Sequence, residues 1–183
     1  ERLPARKGVL VLANSAVAAL TSPWLSLPLW NECLQVIVSR PLASVPFTHL
    51  TGHMSRTVSL KTEGADRVMV SGGWHGHWDL DTETGSTLHD AVAGNLAEAK
   101  EVYPDLAPIE AETADANHLE SFCIDGIPIV DTVPGLDNLW FGAGWCGHGW
   151  AIAPVMSDLI AKWALTGTQP TDLQPFSLRR FGP

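Results

Sequence analysis

The chain has only three cysteines, Cys33, Cys123 and Cys146, too few and too unevenly spaced for a disulfide framework or a tetrahedral metal site. A reducing, cytoplasmic setting is the expectation. Positive charge is also scarce: 11 Lys and Arg stand against 20 Asp and Glu, a formal net charge of −9, and no basic cluster occurs. Nucleic acid and anionic membrane surfaces both require a basic footprint, so neither is an expected partner. Long apolar runs are missing as well. Stretches such as Gly8–Leu12 and Ile152–Val155 fall far short of the ~18 residues that a spanning helix needs. The opening Glu1–Lys7 shows no small-residue cleavage pattern and does not read as a signal peptide. Internal repeats and low-complexity segments are absent too.

What is present is material for a core: 45% of the 183 residues are apolar and 17% are charged. Lys7–Asn14 reads as a buried strand, and Asn14 or Ser15 can cap a short helix running to Leu20. Cys33–Ser39 is a second strand. Thr57–Lys61 and Arg67–Ser71 flank the turn Thr62–Asp66 and predict a hairpin. Leu88, Val92, Leu96, Ala99 and Tyr103 form one helical stripe, with Thr87 and Asp90 as a capping pair and Pro104 as the stop. Short strands follow at Ile127–Val130 and Leu139–Phe141. A long helix then runs from Trp150 to Thr166-Gly167, with Pro154 in its first turn, and the closing Gln169–Pro183 is Pro-rich and irregular. Hairpin and buried strands outnumber helices, which argues for an α+β fold.

Gly142, Gly144 and Gly147 within "WFGAGWCGHGW" match the spacing G-x-G-x-x-G. A dinucleotide fingerprint needs a second parallel strand after the helix, and Thr166–Pro175 offers none. Two readings remain for this turn. Its glycines pack strand against helix, or they let an electron-rich group approach the positive end of the helix.

The segments Asp125–Asp131, Pro134–Pro154 and Leu173–Phe181 resemble the C-terminal part of the FAD-dependent D-amino acid oxidase/sarcosine oxidase family. The shared pattern is D-G-x-P-x-[IV], P-G-x-x-N-[LV], G-x-x-G-H-G at a helix start, and a P-F-x-x-x-R-F ending. Gly8–Ser15 and Gln35–Leu42 resemble two further strands of that family. The resemblance implies an FAD-binding, Rossmann-like domain contributed to by residues 1–27 and 119–183, with a substrate-binding domain at 28–118. The latter is expected as a mixed or antiparallel sheet with a hairpin and flanking helices. The family's own ADP-binding glycine motif does not occur in this chain. A second chain carrying that half is therefore the expected partner, with this chain either a processed fragment or a separate subunit. The implied activity is oxidation of a C–N bond in an amine or amino acid by hydride transfer to FAD, as an oxidase or dehydrogenase. The alternative is a noncatalytic scaffold subunit.

By the same resemblance Gly144, Trp145, Cys146, Gly147, His148, Gly149, Trp150 and Asp125 are expected to contact the flavin. His148, Glu120 and His75 are the candidate catalytic residues. For His148 the competing reading is a packed core histidine. Relatives often carry a Lys two residues after G-H-G, where this chain has Ala151, and an Arg five residues before the D-G-x-P aspartate, where it has Glu120. Glu120 would attract a cation, or is a solvated surface charge. Relatives that bind flavin covalently use a Cys at the position of His118; a covalent link is not expected. Cys123 and Cys146 read as small buried thiols near the flavin segments. In "GGWHGHWDLD", His75, His77, Asp79 and Asp81 alternate, yet no second ligand cluster completes a metal site. Trp74, His75 and Trp78 either line a substrate pocket or cap a loop.

Overall fold

The computed structural model describes residues 4–182, and its chain divides into two compact units, Glu1–Glu32 with Glu120–Pro183, and Cys33–Leu119. The strands in chain order are β1 (Val9–Val11), β2 (Leu29–Cys33), β3 (Val36–Ser39), β4 (Thr51–Gly52), β5 (Ser59–Glu63), β6 (Arg67–Ser71), β7 (His77–Asp79), β8 (Thr84–Ser86), β9 (Ala111–Asp115), β10 (Leu119–Cys123), β11 (Ile129–Val133) and β12 (Leu136–Ala143). The helices are α1 (Val17–Thr21), α2 (His89–Val102) and α3 (Gly149–Thr166). This is the α+β composition expected, with several sheets and few helices.

The first unit is built on the sheet β1-β12-β11. β1 runs parallel to β12, with Val9 opposite Leu139, while β11 and β12 form an antiparallel pair. Side chains alternate across a strand. Ile129, Val133, Phe141 and Ala143 therefore join a core with Val17 of α1, whereas Val130 and Trp140 face Met156, Ile160 and Trp163 of α3 and Leu173. That division of faces places the C-terminal end of β12, and the turn after it, at the start of α3. β2 pairs with β10 in a separate two-stranded sheet.

The second unit carries the antiparallel sheet β4-β5-β6-β3-β9. Ile37, Leu60, Val68 and Val70 are fully or almost fully buried on it, and α2 contributes Ala99, with Val92 and Leu96 packed alongside. The rings of Phe47 and Tyr103 meet at 5.0 Å between centroids. β7 and β8 form a small hairpin.

Local differences from the expected elements have physical causes. The run Cys33–Ser39 is split, because Leu34 bridges His75 and the ladder resumes only at Val36. Asn14–Ala16 is a 3-10 turn ahead of α1, and Asn14 sits at φ 46°, a conformation Asn tolerates, without capping by its side chain. No side chain caps α2, whose N-cap is Leu88. α3 starts at Gly149, so Pro154 lies beyond the first turn, where its ring removes a hydrogen bond to the Trp150 carbonyl. Gly167, at φ 76°, closes that helix by donating to the Trp163 carbonyl. The tail is less irregular than its prolines suggested, with 3-10 turns at Thr171–Phe176 and Leu178–Phe181. No helix among the described residues is long and apolar enough to cross a membrane.

Candidate active site at the start of helix α3

An open cleft of about 500 Å³ lies in the first unit beside the opening turns of α3. Leu12 and Asn14, just after β1, form one part of its wall, and β10 supplies Glu120. Trp145 and Gly147 come from the glycine turn, and Gly149, Trp150, Ala153 and Ser157 from α3. Trp150 is 93% exposed, leaving an indole plane open at the helix start.

The glycines of the turn have separate tasks. A Cβ on Gly142 would stand 2.9 Å from Leu12 and 3.1 Å from Trp145, so this position allows close packing. Gly147 has open space around it and is required for its backbone, at φ 78°. Cys146, at φ 53°, adopts a left-handed conformation without being glycine, a strained geometry held by its surroundings. Its thiol donates to the Gly144 carbonyl at 2.9 Å and accepts from the Cys123 amide at 3.2 Å. Burial pushes both the Cys123 and Cys146 thiols up from their ordinary pKa, which keeps them protonated and poor nucleophiles.

Buried Ser121 fastens β10 to this turn. Its hydroxyl accepts from the Gly144 amide at 3.0 Å, its carbonyl accepts from the Cys146 amide at 3.3 Å, and its own amide donates to Asn14 Oδ1 at 3.3 Å. The neighbouring Glu120 is thereby brought to the helix start, where its Oε1 accepts the Gly147 N–H at 2.6 Å. His148 is the N-cap of α3; its side chain is exposed and makes no cap hydrogen bond, so it is not a core histidine. Gly149 and Trp150 are the first two residues of α3, and helix geometry gives their amides no intrahelical acceptor.

Five of the expected flavin-contact or catalytic residues thus line one cleft: Glu120, Trp145, Gly147, Gly149 and Trp150. Gly144, Cys146 and His148 are not among the residues that line it. Asp125 is engaged elsewhere: Arg180 Nε donates to its Oδ2 at 2.7 Å and Arg180 Nη2 to its Oδ1 at 3.1 Å. That guanidinium holds the Asp125 carboxyl well below the usual carboxylate range. His75 lies in the second unit, exposed and bridged to Leu34. His118, also there, is exposed and 3.4 Å from Asp115. Asp79 accepts the amides of Asp81 and Thr82, a turn that lowers its pKa. Among the described residues, no group of three or more His, Cys, Asp or Glu is placed to hold a metal ion. Asn14 and Ser121 were not singled out from sequence as site residues. Asn14 had a visible signal, at the end of the first strand, whereas Ser121 had none.

The donor set suits the ring end of a flavin. Two amides without an intrahelical acceptor stand at the positive end of a helix, on residues that line an open cleft bordered by two indoles, and among the described residues no Lys or Arg lines it to receive a phosphate. Fold and site together define an α+β unit with an open, indole-bordered cleft at a helix N-terminus. The chain belongs to the family described as FAD dependent oxidoreductase (DAO), whose model matches residues 2–163. It is 37% identical over 95 residues to N-methyl-L-tryptophan oxidase of Salmonella arizonae, a match covering 50% of this chain and 25% of that protein. L-proline dehydrogenase from P. horikoshii superposes with a TM-score of 0.79 at 16% identity, over 94% of this chain and 46% of that one. Glycine oxidase from Geobacillus kaustophilus superposes with a TM-score of 0.71 at 19% identity, over 96% and 46%. The chain therefore spans less than half the length of these relatives.

Proposed function

We propose that this chain supplies the flavin-ring site and the substrate-binding region of an FAD-dependent oxidoreductase acting on the C–N bond of an amine or amino acid. In this reading residues 1–27 and 119–183 belong to the FAD-binding domain and 28–118 to the substrate-binding domain. A second chain, or a further segment of the same one, carries the ADP-binding half. The observation that carries the reading is the conjunction of the family match over residues 2–163 with the cleft at the start of α3.

Bound FAD would supply the hydride acceptor. The residues of this chain bind, orient and polarise. The Gly149 and Trp150 amides, with the dipole of α3 behind them, stabilise negative charge that develops at the edge of the ring. Trp145 and Trp150 would border the bound ring. Glu120, which lines the cleft, and His148, exposed at the N-cap of α3, are the candidate ionisable side chains there, and His75 is the candidate from the substrate region. Ala151 places a methyl where many relatives carry Lys, which favours an electron acceptor other than oxygen.

The test is co-expression with the ADP-binding half, followed by visible spectroscopy. The expected complex is yellow and bleaches anaerobically when amines or amino acids are added, with reoxidation faster by an artificial dye than by oxygen. A complex that stays colourless in the presence of added FAD would favour the scaffold role and overturn the proposal.

A further inference from the structure

We infer that Glu120 sets the electrostatic potential at the start of α3 and thereby holds down the reduction potential of a flavin whose ring lies in the cleft. This rests on the reading of the cleft as the flavin-ring site. Glu120 is the one ionisable side chain among the described residues that line the cleft. Its carboxylate accepts the Gly147 N–H at 2.6 Å, directly ahead of the first turn of α3.

An acidic group near a helix N-terminus is ordinarily a stabilising feature of the helix itself. Glu120 differs in coming from a separate strand and in sharing that helix end with an open cleft. The helix end carries about half a positive elementary charge, and a carboxylate beside it offsets part of the stabilisation that the first-turn amides give to negative charge in the cleft. A reduced flavin carries more negative charge on its pyrimidine edge than an oxidised one. Repulsion from Glu120 therefore weakens binding of the reduced form more than that of the oxidised form.

The position of this charge is fixed by the strand it stands on. Ser121, the next residue, is fastened through its hydroxyl to the Gly144 amide and through its carbonyl to the Cys146 amide. Its own amide is held by Asn14. Moving the Glu120 backbone away from the helix would break three hydrogen bonds of a buried residue.

The experiment uses the complete flavoprotein, with the ADP-binding half present and FAD loaded, and measures the midpoint potential of the bound flavin by equilibration with a reference dye. Glu120→Gln removes the charge, while its amide oxygen still accepts from Gly147. The expected rise is about 30 mV, equivalent to a tenfold gain in binding of reduced over oxidised flavin for a two-electron couple. Glu120→Asp keeps the charge and is expected to stay below the Gln variant. Ala153→Lys, on the same cleft wall, introduces a charge that should shift the visible absorption band of the flavin. A band shift in Ala153→Lys with an unchanged potential in Glu120→Gln overturns the inference alone. No response to either variant overturns the placement of the ring in the cleft, and the inference with it.

Discussion

The two main sheets of the molecule are covered to very different extents. In the second unit, the sheet β4-β5-β6-β3-β9 keeps Ile37, Leu60, Val68 and Val70 at 1% exposure or less under α2. In the first unit, β1 pairs with β12 on one side only, and Val9, Leu10 and Leu12 remain 48%, 42% and 47% exposed. Alternating side chains and an antiparallel ladder let the first of these sheets close its core with its own helix. β1 is apolar throughout and parallel to its neighbour, the kind of strand that occurs with both faces covered. The difference teaches that the two units meet the same physics with different resources: one buries its apolar positions internally, whereas the other leaves a strand edge and its flanking side chains uncovered by the described residues of this chain.

The contrast predicts a graded response to substitution. The largest effect is expected at Leu60→Ala, which removes a fully enclosed side chain and leaves a cavity, at a cost of ~3 kcal/mol in denaturant unfolding. Leu10→Ala on β1 is the matched control and should cost less than about 1 kcal/mol, since that side chain already meets water. Equal losses at the two positions would break the comparison.

Asp125→Asn comes next. It unmakes the paired contacts with Arg180, whose side chain is only 18% exposed, and should destabilise by ~2 kcal/mol. Because the folded-state pKa of Asp125 is lowered, the pair contributes fully above the unfolded carboxylate value near 4 and loses that contribution as pH falls toward the folded value. Wild-type stability should thus decline more steeply below about pH 4 than that of Asp125→Asn. Parallel acid limbs in urea titrations at several pH values would remove Asp125 from the account. The smallest effect of the glycine turn is expected at Gly147→Ala, where a Cβ meets no neighbour and only the positive φ is penalised, at about 1 kcal/mol.

The elements with strong periodicity were legible in the sequence. α2 and α3 showed apolar residues at helical spacing, and the β5–β6 hairpin announced itself through Glu63-Gly-Ala-Asp66. β9 and β10 were not legible, because Glu112, Asp115 and Glu120 interrupt any apolar alternation and the strands are recognised only through their partners β3 and β2. β8, Thr84–Ser86, is three small or polar residues with no strand signal. For the site, the glycine turn and the helix start could be read directly. The fastening role of Ser121 and the meeting of Glu120 with Gly147 could not, since both depend on residues more than 20 positions apart. Asp125 illustrates the opposite case: its sequence neighbourhood pointed to the cofactor, but its charge is spent on Arg180, 55 residues later.

The pairing of β1 with β12 also bears on the order in which the chain acquires its structure. These strands are separated by the whole of Cys33–Leu119, so their contact closes one of the longest loops in the chain. Loop closure is an entropic cost that grows with the length of flexible chain enclosed, and long-range pairing slows folding. The Cys33–Leu119 unit draws its own ends together, since the Cys33 thiol donates to the Ala116 carbonyl at 2.7 Å. With that unit formed, the flexible stretch left to close between β1 and β12 is far shorter than the sequence separation, so the entropic cost of pairing the two strands falls.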